Sequence, residues 1–333
     1  MIINLFRSDQ IAFAFALPVF AALLWFLPLA GNYGTNLYFP ADSGGMPLYA
    51  AISGILGMLP VWMLSIVAWI LVSFQGIYLN IIINTHEVLY KKSLLPGFFY
   101  IVIVSALPSC LSLHPVLFAN LILMYVLDRI LSLYKSGSPM HGIFDAGFFI
   151  SIASLIYFPS IFIFPLVIIG LMTLLPFSLR GWIVATIGLC LPYFFTATYY
   201  FMVDRLDDFI ALFASEIILS QPDLSLHLEL PGWIISAWVI FLLAISVLKL
   251  LNNFYKNVIR TRNYQQIFLV LLILTGLSFY AADGITVWKL TFLAVPLSVL
   301  TGYYFLAVKK AWLTESLFWI LAICIIWNHL ISS

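Results

Sequence analysis

The chain has 333 residues, of which 64% are hydrophobic and only 8% are charged, and its formal net charge is +1. Soluble domains carry roughly 25% charged residues, so this composition excludes an ordinary water-exposed surface. The small net charge gives no reason to expect a nucleic-acid partner. The surface of the folded chain is therefore expected to be surrounded mainly by membrane lipid. Because alternation of polar and apolar residues is almost absent, a bundle of transmembrane helices is expected rather than a barrel.

Long apolar runs recur along the whole chain. A helix needs about 20 apolar residues to cross a bilayer. By that measure the sequence predicts an all-α bundle of about eleven transmembrane helices, which together form one integral membrane domain, residues 1–333. Prolines in the fifth and sixth runs predict broken or tilted helices there. The predicted spans are Ile11–Ala30, Pro60–Asn80, Gly97–Leu113, Val116–Leu133, Ile143–Tyr157, Ile161–Leu175, Trp182–Phe201, Trp233–Leu251, Ile267–Ala281, Val287–Val308 and Trp312–Leu330.

The basic residues indicate an orientation for these spans. Under an eleven-span count they fall on one side of the membrane, with Arg205 and Lys289 as the exceptions. An excess of Lys and Arg marks the cytoplasmic side. The N-terminus is therefore predicted to be cytoplasmic and the C-terminus external, in a multi-pass protein of a bacterial inner (cytoplasmic) membrane. The residues on the basic side are Arg7, Lys91, Lys92, Arg129, Lys135, Arg180, Lys249, Lys256, Arg260, Arg262, Lys309 and Lys310.

The longest segment predicted to leave the membrane is Val203–Gly232. It is acidic, with Arg205 as its one basic residue. Apolar residues recur near helical spacing between Leu206 and Ile218, which predicts an amphipathic helix lying on the external membrane surface.

No complete catalytic motif for ATP hydrolysis, metalloprotease or serine hydrolase chemistry is present in the sequence. Polar residues instead converge on the predicted external face. Carboxylates at such a surface act as general bases or hold a divalent ion that bridges to phosphate, and cationic side chains hold phosphate directly. We therefore predict a divalent metal site at Asp204, Asp207 and Asp208. The predicted substrate contacts are His114, Arg205 and Lys289, which would hold the phosphate of a carrier lipid, and Asp283, which would form a charge pair with Lys289 facing a cavity.

Each of these residues also has a purely structural interpretation. Positive-inside sorting leaves acidic residues outside, which accounts for the three acids of the predicted metal site. Lys289 is also explained as a lysine that reaches toward the membrane surface. Asp145, near the inner end of the fifth span, is a functional candidate because ionisable groups are costly in lipid. It is equally explained by a pair with Arg129 or by a helix cap.

Two stretches carry a resemblance to a known family. They are the opening MIINLFRSDQIAFAFALPV and the segment LHPVLFANLILMYVLDRILSLYKSGSPMHGIFDAGFFISIASLIYFPS, Leu113–Ser160. Together they resemble a family of polytopic inner-membrane proteins of Bacteroidota. That resemblance implies a cell-envelope protein and brings no activity with it.

The predicted architecture is also similar to that of the GT-C type membrane glycosyltransferases. The shared features are a cytoplasmic N-terminus, a first outer loop with an acidic residue, a following interfacial helix and about eleven spans. The resemblance implies an external reaction on a polyprenyl-phosphate-linked sugar, with an acidic residue of the first outer loop as the base. Asp42 is the one acid in that loop and takes this role. The chain departs from the pattern in its short first loop, where no second acid adjoins Asp42.

Three functions follow as hypotheses. The first is a transferase that uses a polyprenyl-phosphate-linked sugar or a related carrier lipid at the external face. The second is a non-enzymatic membrane subunit of a cell-envelope complex, for secretion, motility or assembly, with Leu206–Leu219 as the surface that binds other envelope proteins. The third is a transporter with Asp145 in its path.

Overall fold

The computed structural model describes residues 2–8, 13, 15–29, 46–135, 139–176, 178–218, 229–281 and 286–331. Within these residues every regular element is helical, which confirms the predicted all-α class. The six 3₁₀ helices of this part of the chain are η1 (Pro108–Cys110), η2 (Leu133–Lys135), η3 (Phe158–Ile163), η4 (Phe254–Lys256), η5 (Ser278–Ala281) and η6 (Val287–Leu293). The α-helices are α1 (Ile2–Phe6), α2 (Ala16–Leu24), α3 (Phe26–Leu29), α4 (Pro47–Leu56), α5 (Val61–His86), α6 (Leu95–Val104), α7 (Pro115–Ser132), α8 (Pro139–Ile156), α9 (Phe164–Leu174), α10 (Leu179–Met202), α11 (Leu206–Ile218), α12 (Leu230–Asn253), α13 (Ile259–Leu277), α14 (Ala294–Ala307) and α15 (Ala311–Ile331).

Seven of the described helical stretches are long and apolar enough to cross a membrane, judged by length and composition. They are α5, α7, α8, α10, α12 with η4, η6 with α14, and α15. The structure is therefore compatible with a helical membrane protein. The remaining predicted spans correspond to shorter or less apolar helices, so the count of eleven stays a prediction.

Of the two spans predicted to be broken or tilted, the fifth is a continuous helix, whereas the sixth, Ile161–Leu175, begins in a 3₁₀ helix and continues as an α-helix. Helix α8 ends at Ile156, and the chain continues through the 3₁₀ helix η3 before α9 begins. Pro159 lies in the first turn of η3 and Pro165 in the first turn of α9. Proline has no N–H to donate within a helix, so it fits at these helix starts at little cost, whereas in a helix interior it removes a hydrogen bond.

Helices α6 and α14 form the centre of the bundle. Almost every side chain of both helices is buried, and they pack against each other along their length. The approach is close at one point, where a Cβ atom on Gly302 would lie 3.2 Å from the backbone nitrogen of Pro96. By contrast, α10, α12 and α15 bury only a small share of their side chains and form the outside of the bundle.

Small residues allow α8 and α10 to pack backbone to backbone. A Cβ atom on Gly147 would lie 2.2 Å from the carbonyl oxygen of Ala185, and one on Gly188 would lie 2.5 Å from that of Phe144. Close contact through small residues is the usual way in which helices associate in lipid, where no hydrophobic force drives them together.

One end of the bundle is held by charged side chains. His86 Nε2 and Asp128 Oδ1 are 2.8 Å apart, and Arg260 lies 2.8 Å from a Glu87 carboxylate oxygen. Arg260 also donates to the carbonyl oxygen of His86 at 2.7 Å. These contacts join α5, α7 and α13 at the end that carries Lys91 and Lys92, which we call the basic end.

The N-terminal helix packs against this basic end. The backbone N–H of Ile3 donates to Oε1 of the buried Glu315 at 3.2 Å, and the Arg7 guanidinium donates to the carbonyl oxygen of Phe305 at 2.7 Å. Arg7 also donates to the carbonyl oxygen of Val308. The side chains of α1 and its flank therefore satisfy the backbone acceptors left at the end of α14.

Replacement of Gly147 by Ala is expected to lower the stability of the α8–α10 pair by about 1–3 kcal/mol, because the new methyl group meets the Ala185 carbonyl. Thermal unfolding of the purified protein in detergent measures this as a lower midpoint. The matched control is Gly276→Ala in α13, where a Cβ atom meets nothing within 4 Å. Equal midpoints for the two variants would contradict the packing described for α8 and α10.

Candidate functional site

Four of the 3₁₀ helices meet at the end of the bundle opposite the basic end. Helix η1 contacts η6, η3 contacts η5, and α13 contacts η3, η5 and η6. We call this the 3₁₀ end. Short 3₁₀ helices are common at the ends of α-helices and in the connections between them. At membrane depth such irregular backbone is tolerated only where protein covers it or where it lines a cavity.

His114 lies at the centre of the 3₁₀ end. It precedes Pro115, the first residue of α7, and its side chain is 0% exposed. Within the part of the chain that the structure describes, neither ring nitrogen makes a hydrogen bond of good geometry, although the Cys110 backbone lies close enough to act on the ring. Its ring lies against Trp288 of η6, with ring centroids 5.5 Å apart and planes 33° apart. Buried polar groups are nearly always paired, and an unpaired one costs about 1–3 kcal/mol. A buried imidazole with two unpaired nitrogens therefore calls for an explanation.

Lys289 lies on the same tryptophan. Its side chain is 8% exposed, and its Nζ atom is 5.7 Å from the centroid of the Trp288 ring, within the range of a cation–π interaction. Tyr157 packs on Trp288 from α8, at 6.4 Å between ring centroids, and on Phe292 at 5.4 Å. The structure thus brings together two of the predicted substrate contacts, His114 and Lys289, with Trp288 as the side chain that both of them meet. We call His114, Trp288 and Lys289 the Trp288 cluster.

Burial lowers the pKa of His114 to about 3, and the nearby Cys110 carbonyl only partly opposes this shift. The imidazole is therefore neutral at physiological pH. A neutral imidazole presents one N–H donor and one nitrogen acceptor. It is suited to hydrogen bonding with a ligand and unsuited to serving as a cation or as a strong base.

A network of polar side chains supports the cluster from inside the bundle. Asn120 Nδ2 donates to the carbonyl oxygen of Thr291 at 2.9 Å, and Tyr100 donates to Gln75 Oε1 at 2.7 Å. Gln75 Nε2 in turn donates to the Leu117 carbonyl at 2.6 Å. The network ties α5, α6 and α7 to η6, the segment that carries Trp288 and Lys289. Asn120 Oδ1 is buried and accepts no hydrogen bond from the residues that the structure describes.

An apolar cavity of about 190 Å³ adjoins the cluster. Its walls come from the end of α6 with η1, from the first half of α12, and from η6 with the start of α14. Leu290 and Thr291, which follow Lys289 directly, line it, and so does Cys110, whose thiol lies 3.7 Å from the carbonyl oxygen of Val287. The Trp288 cluster and the apolar cavity therefore share one backbone segment, the 3₁₀ helix η6.

Helix α11 also lies at the 3₁₀ end. Phe213 packs on Phe158 of η3 at 5.9 Å between ring centroids and on Tyr193 of α10 at 5.6 Å. Asp207 and Asp208 of the same helix are exposed. The predicted helix is confirmed, with Phe213 packed inward and these two acids outward, while Ile210 is also exposed.

The three acids predicted to bind a metal do not form a metal site in this arrangement. Within the described ranges, no group of three or more His, Cys, Asp and Glu side chains is placed to hold a metal ion. Asp204 has a structural explanation, since its φ of 54° closes the turn from α10 to α11, a conformation that Asp tolerates better than most residues. Arg205 is exposed in the same turn.

Two predicted site residues, Asp42 and Asp283, lie outside the described residues. Asp145 lies 3.6 Å from Arg129 at the basic end, so the pairing that the sequence offered as an alternative is present. Trp288 and the Gln75–Tyr100–Asn120 network were not predicted as parts of a site. Their sequence signals were faint: an aromatic residue beside Lys289, and single amides within apolar runs.

The comparison with known families supports a common ancestry without an activity. A family model, described as "Family of unknown function (DUF6427)", matches residues 55–332. The chain belongs to this family. The match covers α5 to α15 and so includes the whole Trp288 cluster, and membership assigns no function. No curated protein and no solved structure matches the chain.

The low pKa of His114 predicts a specific loss of stability in acid. Below pH 6.5 the unfolded chain takes up a proton that the folded protein takes up only near pH 3, so stability falls as the pH falls between these values. From about pH 7.5 to about pH 5 the His114 contribution amounts to about 2 kcal/mol. Replacement by Gln removes this contribution.

The measurement is the thermal unfolding midpoint of the wild type and of His114→Gln at both pH values. The matched control is His141→Gln, at an exposed position near the start of α8. We expect His114→Gln alone to flatten the pH dependence. An unchanged pH dependence in that variant would show that His114 is not buried in its neutral form.

Proposed function

We propose that this protein is a transferase of the bacterial inner membrane that acts on a polyprenyl-phosphate-linked substrate at its external face. The observation that carries the proposal is the Trp288 cluster, in which a buried lysine and a buried, unpaired histidine meet one tryptophan. Ionisable and polar groups are costly at such positions and mark sites of function in membrane proteins.

The proposal includes the full topology. The chain crosses the membrane eleven times, with a cytoplasmic N-terminus and an external C-terminus, and residues 203–232 form an acidic external segment of the single membrane domain. Lys91, Lys92, Lys309 and Lys310 are exposed at the basic end, which supports a cytoplasmic position for that end. The 3₁₀ end, with the Trp288 cluster and α11, then faces outward.

In this proposal Lys289 binds the phosphate of the carrier, because a buried cation next to an anion is favourable once water is excluded. His114 donates a hydrogen bond to a phosphate or sugar oxygen, and α7 begins at Pro115, so the positive end of its helix dipole lies at the same place. Trp288 provides an apolar ring face between the two polar groups.

The reaction follows from the proposed roles. The Asp42 carboxylate takes the proton of an acceptor hydroxyl, whose oxygen forms a bond to the anomeric carbon of the sugar. The bond from that carbon to the carrier phosphate oxygen breaks, and the electron pair stays on the phosphate. Lys289 stabilises the negative charge that develops there. No step of this proposal uses a metal ion.

A second candidate function is a non-enzymatic subunit of an envelope complex. Its support is the outward acidic side of α11, where Asp207 and Asp208 are exposed above a helix whose aromatic residues are packed inward. The partner in that case is an envelope protein that presents basic side chains. The third candidate, a transporter with Asp145 in its path, has less support because Asp145 lies next to Arg129.

The test of the transferase is native mass spectrometry of the protein extracted from its own host in lipid nanodiscs. We expect a bound polyprenyl-phosphate species in the wild type. Lys289→Gln should reduce the bound fraction by about tenfold, since hydrogen bonds to charged groups contribute about 1.5–3 kcal/mol. Lys289→Arg keeps the charge and should retain most of the lipid. The matched control is Lys92→Gln, an exposed lysine at the basic end.

Asp42→Asn separates binding from chemistry. It should leave the lipid bound and abolish transfer of the sugar to an acceptor, because an amide cannot take the hydroxyl proton. A wild-type protein that carries ordinary phospholipid and no carrier lipid would contradict the transferase. A stoichiometric protein partner, released by charge reversal at Asp207 and Asp208, would establish the second candidate instead.

A further inference from the structure

We infer that the apolar cavity beside the Trp288 cluster holds a hydrocarbon chain of a phosphate-headed membrane lipid, which reaches it sideways from the bilayer past α12. This inference rests on the proposed function, because it places the tail of the ligand whose phosphate is assigned to Lys289. It identifies where the protein holds the lipid tail and by which route the lipid enters.

The cavity is large enough for part of a lipid tail. The cavity volume is about 190 Å³, and an engineered apolar cavity of about 150 Å³ in another protein stays dry and binds benzene. A cavity of this size accepts a short length of one hydrocarbon chain. The rest of the lipid tail would remain in the bilayer.

The lining of the cavity fixes the chemistry of its occupant. Apart from Ser236, Thr291 and Cys110, every lining residue has a hydrocarbon side chain. The Ser236 hydroxyl donates to the Gly232 carbonyl of its own helix, at 2.8 Å, and the Thr291 hydroxyl donates to the Trp288 carbonyl, at 2.7 Å. Both hydroxyl groups therefore donate to backbone carbonyls. Because they do not donate into the cavity, the space suits an apolar occupant.

The exposure of α12 indicates the route. Ile240 lines the cavity and is 65% exposed, whereas Ile235, one and a half turns earlier on the same helix, also lines it and is 1% exposed. The cavity therefore extends from the outer surface of the bundle to its buried interior. In a membrane that outer surface meets lipid chains, so a lipid tail passes into the cavity without crossing water.

The neighbouring charge selects the kind of lipid. Lys289 belongs to the Trp288 cluster, and the next two residues, Leu290 and Thr291, belong to the cavity wall. A buried cation one residue away from an apolar wall is complementary to an amphiphile with an anionic head and a hydrocarbon tail. A neutral lipid would fill the cavity equally well but would lack the electrostatic attraction to the Lys289 ammonium.

The experiment uses the full chain in lipid nanodiscs with two photoreactive probes. One is a phosphatidic acid with a diazirine in its acyl chain, and the other is the diacylglycerol with identical chains. After irradiation, mass spectrometry identifies the labelled peptides. We expect label in the cavity-lining parts of α12 and of η6 with α14, and about tenfold more from the phosphatidic acid than from the diacylglycerol.

Two adjacent residues of α12 provide matched variants. Ser236→Phe fills the cavity and should remove most of the label. Ala237→Phe makes a change of similar size at an exposed position that does not line the cavity, and should retain the label. Val239→Phe is a second variant that fills the cavity, for use if Ser236→Phe lowers the thermal midpoint. Equal labelling by the two probes, or full labelling in a folded variant with a filled cavity, would overturn the inference.

The same experiment separates this inference from the proposed function. Labelling with the expected pattern, in a protein that carries no polyprenyl-phosphate and transfers no sugar, would reject the transferase and retain the lipid site. Carrier binding and sugar transfer that persist with full labelling in the Ser236→Phe variant would retain the transferase and reject the cavity as the place of the tail.

Discussion

Backbone hydrogen bonding in a medium without water is the constraint on which the rest of this structure depends. With 8% charged residues, the chain must satisfy its N–H and C=O groups internally, and the helix does so along its whole length. In the 3₁₀ helix η6, a side chain supports the backbone: Asn120 donates to the carbonyl oxygen of Thr291.

The polar side chains at the two ends of the bundle have different surroundings. At the basic end, a His86–Asp128 contact and an Arg260–Glu87 ion pair join three helices, and each of these side chains has a partner. At the 3₁₀ end, His114 is buried with both ring nitrogens unpaired, beside a buried lysine and an apolar cavity. In the first arrangement the side chains pair with one another. In the second we propose a binding site for the head and tail of a lipid.

The fold class and most helix positions were predictable because apolar length and proline position are local properties. The break before Pro165 is an example. The Trp288 cluster was only partly predictable. His114 and Lys289 were singled out as polar residues at one face, but their meeting across 174 intervening residues depends on how η1 and η6 pack. The metal site at Asp204, Asp207 and Asp208 lacks support because clustering in sequence does not aim exposed carboxylates at one point.

The proposed carrier-lipid site depends most on an orientation in which the 3₁₀ end faces outward. The direct measurement is labelling of single cysteines by a membrane-impermeant maleimide in spheroplasts, after replacement of Cys110, Cys190 and Cys324. A cysteine at Asp208 marks the 3₁₀ end and one at Lys92 marks the basic end, both at exposed positions. We expect label at 208 in intact spheroplasts and label at 92 only after lysis. The reverse pattern would place the Trp288 cluster in the cytoplasm and contradict an external carrier-lipid site.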